Sequence, residues 1–214
     1  MVSRQQAVRT KPLVVRRENS INALLDATAE ILAESTRIDA SLSEISKRAG
    51  INSAMIKYYF GNKEGLLLAL LERDAEAEMS GLAHLVAMDA PADRKLRIHI
   101  EGIINSYFRS PYLNRLIHHL VDRGTKTASD RVTEIFVEPM IQAYRAIVEQ
   151  GVREGSMKPV DPVLLYFSLV GSADHIFSAS YSVPATMGVS QIDEDLKRRY
   201  TDHVCQVFVN GLRS

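Results

Sequence analysis

The stretch SLSEISKRAGINSAMIKYYFGNK, Ser41 to Lys63, reads as a helix, a tight turn and a second helix, with a third starting at once. Ser41 followed three residues later by Glu44 fits a capping box, in which the serine side chain satisfies a free N–H of the first turn. Leu42, Ile45 and Ala49 recur at helical spacing and share one face. Gly50 stands where that helix must stop, and glycine adopts the left-handed backbone of a helix end without steric cost. Ile51 fills the space across the turn, and Asn52 or Ser53 caps the next helix. In that helix Ile56, Phe60 and Met55 are the anchors. Ser53, Ala54, Lys57, Tyr58 and Tyr59 are left facing outwards. Helix-turn-helix units of this size lay their second helix in the DNA major groove. A surface of lysine, tyrosine and small polar groups suits phosphates and base edges. Two packed helices with a merely solvated face would give the same periodicity. A lysine and two adjacent tyrosines on so short an exposed helix favour DNA.

Outward from this stretch the pattern stays helical. Residues 18–34 carry Ile21, Leu24, Leu25, Thr28 and Leu32 on one face. A long helix is expected from Lys63 to Met88, ended by Ala90-Pro91-Ala92-Asp93. Helices follow over 92–109, 112–122, 131–154, 162–182 and 192–212. Gly124 to Asp130 reads as a polar loop, and Pro139 as a kink or a start within 131–154. No alternating strand pattern, internal repeat or low-complexity tract interrupts them. The expectation is an all-α chain of about nine helices. It comprises a basic flexible arm over 1–17, a helix-turn-helix domain over 18–63 and a larger helical domain over 64–214.

Charge supports one basic end. The chain of 214 residues is 46% hydrophobic and 24% charged, ordinary globular usage, with 26 basic and 26 acidic residues. Arg4, Arg9, Lys11, Arg16 and Arg17 precede the first acid, Glu18. The remainder beyond Lys63 is net acidic, so a generic polyanion binder is excluded and DNA binding at one end is favoured. The arm is expected to lie along the DNA backbone or in the minor groove, or to be a solvated tail. No run of 18 apolar residues marks a membrane span, and the first residues lack a signal-peptide core. The single cysteine, Cys205, fits a reducing cytoplasm and an apolar role in a helix. Zinc and di-iron spacings are missing among the histidines, and adjacent His118 and His119 diverge around a helix. No metal, no cofactor and no enzymatic activity is expected, because nucleophile elbows and phosphate or dinucleotide loops are absent from the sequence.

The segment from Asn19 to Leu71 resembles the N-terminal domain of TetR-type transcriptional repressors. The likeness rests on Ile21, Leu24, Leu25, Ala27 and Ala29, then Ser43, Ile45 and Ala49-Gly50-Ile51. It continues through Ala54-Met55-Ile56-Lys57-Tyr58-Tyr59-Phe60 and closes on Asn62-Lys63-Glu64-Gly65-Leu66-Leu67. It covers about a quarter of the chain. The family usually has tyrosine where Lys57 stands, and here the tyrosines occupy the next two positions. A lysine still binds phosphate, as a mobile point charge. The DNA-contact set is therefore expected to be Ser53, Ala54, Lys57, Tyr58 and Tyr59, with Ser41, Ser43 and Lys63 on phosphates near helix N-termini.

The resemblance also implies a homodimer built from the last two helices, a ligand pocket among the middle helices, and a repressor released from a palindromic operator by a small effector. Phe167, Val170, Asp174 and Phe177, with Val204 and Val207, are the expected interface. Plain core packing is the simpler reading of the same apolar faces. Candidate pocket residues are His99, Tyr107, His118, Tyr144, Tyr166 and His175. Each also fits an ordinary core role. The effector expected is a mostly apolar organic molecule with one or two polar groups. Acids are not concentrated on these faces, so a strongly cationic effector is not expected. The alternative is a helical small-molecule or protein-binding dimer with weak or lost DNA activity.

Overall fold

The computed structural model describes the backbone of residues 3–35 and 37–214, and side chains from residue 17 onward apart from residue 36. The helices run α1 (Ser3–Glu34), α2 (Leu42–Ala49), α3 (Ser53–Phe60), α4 (Lys63–Ala87), α5 (Ala92–Arg109) and α6 (Pro111–Asp122). They continue as α7 (Lys126–Val132), α8 (Glu138–Arg153), α9 (Pro162–Ser178), α10 (Val183–Met187) and α11 (Glu194–Gly211). The described residues contain no strand, only an antiparallel bridge pair joining Met157 to Arg213. The all-α expectation holds.

Four boundaries differ from the sequence reading. Helix α1 begins at Ser3, so the backbone over 3–17 is helical where a flexible arm was expected. The Gln, Ala, Arg, Lys and Leu residues there favour a helix, while Pro12 and the β-branched Val8, Thr10, Val14 and Val15 oppose it. Residues 1 and 2 and the side chains of 3–16 lie outside the described residues, so the expected DNA contacts of Arg4, Arg9, Lys11 and Arg16 do too. Lys126–Val132 is a helix rather than loop, because Thr125 caps it by accepting from the Ala128 N–H at 3.3 Å. Residues 133–137 form a π-helical turn that runs without a break into α8, and Pro139, which has no N–H to donate, stands just after the junction. The helix from Pro162 stops at Ser178. A 3₁₀ turn, Ser180–Ser182, and α10, with Pro184 in its first turn, follow in place of its last residues and the loop.

The chain divides into two compact units, Met1–Glu72 and Arg73–Ser214. In the first, Leu24, Leu25, Ile31 and Leu32 of α1 are buried, as are Ile45 of α2, Ile56 of α3 and Leu66, Leu67 and Leu70 of α4. Each such side chain contributes about 1.5–3 kcal/mol on leaving water. Thr28, also buried, donates its hydroxyl to the Leu24 carbonyl at 2.7 Å, so no lone hydroxyl is left inside. The second unit has its core where α5, α8, α9 and α11 meet. Leu96, Ile100 and Ile104 face Tyr144 and Ile147, Leu165, Leu169 and Ala173, and Val204, Cys205 and Val209.

Lys95 is the one charged side chain among the described buried residues, 4% exposed. Its ammonium donates to the Val86 carbonyl at 2.7 Å and to Gln150 Oε1 at 2.8 Å. Gln150 donates in turn to the Ala90 carbonyl at 2.9 Å, and Glu154 accepts from the Ala92 N–H at 3.0 Å. That backbone bond, seconded by Gln150, holds the Glu154 carboxyl below its usual range. The network ties the α4–α5 turn to the end of α8. Lys95→Met keeps the length but removes the donors, leaving the Val86 carbonyl and Gln150 Oε1 without them. It is expected to lower stability by about 2 kcal/mol in urea unfolding. An unchanged midpoint would mean that water replaces the ammonium without loss.

Candidate nucleic-acid interface and ligand cavity

The helix-turn-helix is built from its caps. The Ser41 hydroxyl accepts from the Glu44 N–H at 3.1 Å, the first half of the expected capping box. Gly50 sits at φ 66°, ψ 25°, in the left-handed region. Its N–H donates to the Lys47 carbonyl at 3.3 Å, and the Ile51 N–H donates to the Ser46 carbonyl at 3.0 Å. These two bonds form a Schellman motif, which fixes the turn angle between α2 and α3. Asn52 rather than Ser53 caps α3, its Oδ1 accepting from the Ala54 N–H at 2.8 Å. On the surface of the unit Arg48 makes a forked ion pair with Glu34, both N–O distances 2.9 Å, with Glu30 at 3.4 Å. The hydrogen bonds and charge of Arg48 hold the Glu34 carboxyl below its usual range. This pair fastens α2 to α1 and leaves α3 as the outward helix.

Ile56 is fully buried and Met55 and Phe60 are half-buried, as the anchor positions require. Ser41, Ser43, Ser53, Ala54, Lys57 and Tyr58 are exposed, and Tyr59 and Lys63 are half-buried. Tyr58 is 75% exposed, an unusual position for so large an aromatic residue, and its ring meets Tyr59 edge-on at 5.2 Å. The structure thus brings together all eight residues of the expected DNA-contact set on or beside α2, α3 and the start of α4.

The second unit holds a cavity of about 660 Å³, within the range of organic-ligand sites. Its apolar wall includes Leu82 and Leu85 of α4, Ile103 of α5, Phe136 and Val137 of the π-helical turn, and Met140 of α8. The π-turn matters here because it widens the helix where the chain borders the cavity. Four of the six expected pocket residues line it: His99, Tyr107, His118 and Tyr166. Tyr144 stands behind them, fully buried, with its hydroxyl 3.0 Å from His99 Nε2. His175 is exposed and outside the lining, because its place on α9 turns it from the face that carries Asp174.

The polar end of the cavity centres on Asp174. Asn114, buried on α6, donates its amide to Asp174 Oδ1, and His118 Nε2 is 3.9 Å from Oδ2. Burial lifts the Asp174 carboxyl above its usual range, opposed by His118, Ser178, His175 and Asn114. Burial also pushes His99 down to about 4, so it is neutral at pH 7. Burial and the Asp174 charge raise the Tyr107 phenol, which keeps its proton. Glu78 of α4 lines the cavity too and accepts from Ser106 at 3.0 Å. Sequence reasoning missed Glu78, Asn114, Phe136 and Met140. Only Asn114, a polar residue among the apolar ones of α6, carried any signal.

The expected interface residues separate. Phe167 and Val207 are exposed at 65% and 53%, beside Leu164 at 63%. Val170 and Phe177 are half-buried against the core of their own chain. Asp174, Val170 and Phe167 also line the cavity. Val204 is a correction. It is 2% exposed inside the core because α11 packs on α5, so it offers no surface to a partner.

Two family descriptions match the chain. Residues 24–70 match "Bacterial regulatory proteins, tetR family", and residues 89–214 match "Tetracyclin repressor-like, C-terminal domain". The HTH-type transcriptional regulator RutR of Escherichia coli K12 is 23% identical over 96% of this chain and 94% of its own length. The HTH-type transcriptional repressor NicS of Pseudomonas putida KT2440 is 21% identical over the whole of both chains. Among solved structures, the transcriptional regulator FadR of Bacillus subtilis in complex with stearoyl-CoA superposes with a TM-score of 0.71 at 20% identity. It covers 89% of this chain and 98% of that one. AibR in complex with isovaleryl coenzyme A and operator DNA gives a TM-score of 0.65 at 19% identity, over 88% and 97% of the two chains.

Proposed function

We propose, from the premise that this chain belongs to the TetR family of DNA-binding transcriptional regulators, that it acts as a repressor which binds a palindromic operator as a homodimer and leaves it when an organic effector fills the cavity. The observation that carries the DNA half is the face of α3. A lysine and two tyrosines stand exposed or half-exposed on a helix whose N-terminal amides are capped and whose inner side is locked by Ile56. Exposed aromatic and cationic groups on a rigid short helix have little use in water and a direct one in a major groove.

A dimer places two such helices about 34–36 Å apart when it reads successive turns of DNA. An effector that binds better to a different spacing draws the population off the operator by its differential affinity. A 100-fold preference, about 2.7 kcal/mol, is enough to weaken binding substantially. The mainly apolar cavity supports an effector with an apolar body. The acyl-CoA molecules held by FadR of B. subtilis and by AibR are consistent with such a body in this architecture.

Lys57→Ala is expected to weaken operator binding by about tenfold. It should also reduce the slope of log affinity against log salt by about one unit, because one phosphate would no longer be neutralised. The check is a salt series with an operator enriched from a random duplex pool. Equal affinity and equal slope would remove Lys57 from the DNA face. Failure of the wild-type chain to enrich any duplex would favour the alternative, a helical binding dimer without DNA activity.

A further inference from the structure

The cavity is apolar on most of its wall and carries a half-buried carboxylate at one end. Asp174 is the feature that its surroundings leave incomplete. Its side chain is 17% exposed, and around it stand the neutral groups Asn114 and Ser178 and two histidines exposed to water, His118 at 3.9 Å and His175. The other basic residue of the lining, Arg109, is exposed, and His99 is neutral. A carboxylate partly withdrawn from water gains from a positive charge beside it. Beside it, Tyr107 is 9% exposed and lines the same cavity. Its ring packs edge-on to Phe177 at 6.0 Å, and its hydroxyl has no hydrogen-bond partner among the described residues. A hydroxyl that opens to a cavity without a protein partner is a place for a polar atom, of water or of a bound molecule. Aromatic faces complete the surroundings: Tyr166, Phe167 and Phe136 all line the cavity.

We infer that the effector is an organic cation, an apolar molecule with a protonated amine, whose ammonium sits on Asp174 and Tyr107 against the aromatic wall. An ammonium has three donors and no acceptor, which suits a carboxylate and a phenol oxygen together. The ring faces add cation–π attraction. The apolar body would lie along Leu82, Leu85, Val137 and Met140. A carboxylate effector would meet two like charges, Asp174 and Glu78, with Arg109 as the one fixed positive charge among the lining residues.

This inference rests on the reading of the cavity as the effector site, and the test separates the two. Three probes of equal length are titrated calorimetrically into the full chain at pH 7: 4-phenylbutylamine, 4-phenylbutan-1-ol and 4-phenylbutanoate. The amine is expected to bind about tenfold more tightly than the alcohol, and the acid most weakly. In Asp174→Asn the amine should lose its advantage to within about twofold of the alcohol, whose own affinity stays the same. Asp174→Glu should keep the preference. If Asp174→Asn fails to fold, Tyr107→Phe replaces it, with a loss of amine affinity of about fivefold and none for the alcohol. Alcohol and amine binding equally, or the acid binding best, would overturn the cationic effector while leaving the cavity a ligand site. No binding by any probe at millimolar concentration would overturn both.

Discussion

Acidification from pH 7 to pH 4 is expected to remove on the order of 3 kcal/mol of folding stability through His99 alone. The ring is buried beside Tyr144, and burial lowers it from 6.5 to about 4. Between those two values the unfolded chain takes up a proton that the folded chain refuses. Stability from the neutral ring is therefore complete above about pH 6.5 and is lost progressively as the pH falls towards 4. Glu34 and Glu154, both held below their usual range, lose their contributions in the acid region as well, as the pH falls through their own folded values. The comparison that isolates His99 is His99→Gln, which keeps a hydrogen-bonding group for Tyr144 and does not titrate. Urea midpoints at pH 7.5, 6, 5 and 4.5 should fall steeply for the wild type and much less for the variant. Parallel curves would show that the ring titrates with an ordinary value and is more open than the fold shows.

The second large effect is on assembly. Leu164 and Phe167 on α9 and Val207 on α11 leave broad apolar side chains in water. Exposed apolar residues clustered on neighbouring helices mark an interaction surface more often than solitary ones do. For a homodimer these three are the expected anchors. Phe167→Glu combined with Val207→Glu should give a folded monomer whose operator affinity is lower by about 100-fold or more, because the two half-sites no longer share one binding event. Leu164→Glu is the companion variant, since Phe167 also borders the cavity and Leu164 does not. Sedimentation measures the first half and operator titration the second. A wild-type monomer at micromolar concentration, or a dimer that survives all these substitutions, would move the interface elsewhere.

The helix-turn-helix was legible because its signals are local. The Ser41 cap, the Gly50 stop, the Asn52 cap and the spacing of Ile45 and Ile56 all act within one or two helical turns, and each is found where its pattern placed it. Helix boundaries were less legible where a weak local cap decided them. Thr125 starts α7 inside a stretch whose polar composition reads equally well as loop.

The cavity was half legible. His99, Tyr107, His118 and Tyr166 stood out as polar or aromatic residues on apolar faces, and all four line it. Tyr144 stood out for the same reason and is instead the hidden support of His99. Asp174 is visible in α9, and its place among apolar residues suggests a partner's surface, yet it faces Asn114 of the same chain. Acids are not concentrated on the apolar faces in the sequence, which argues against a strongly cationic effector. Folding brings Asp174 from α9 and Glu78 from α4 to one cavity, although nearly a hundred residues separate them in the chain.

By itself the sequence determined the all-α class, the long helices, the helix-turn-helix with its caps, and the residues that share each helical face, because 3.6-residue periodicity and capping are properties of neighbours along the chain. Which face meets which was decided only by the tertiary structure. Val204 and Val207 lie one turn apart on α11, and one is sealed against the core while the other is open. Periodicity places a side chain on a face, but the packing of α11 on α5 and α9 sets how far round the helix burial extends.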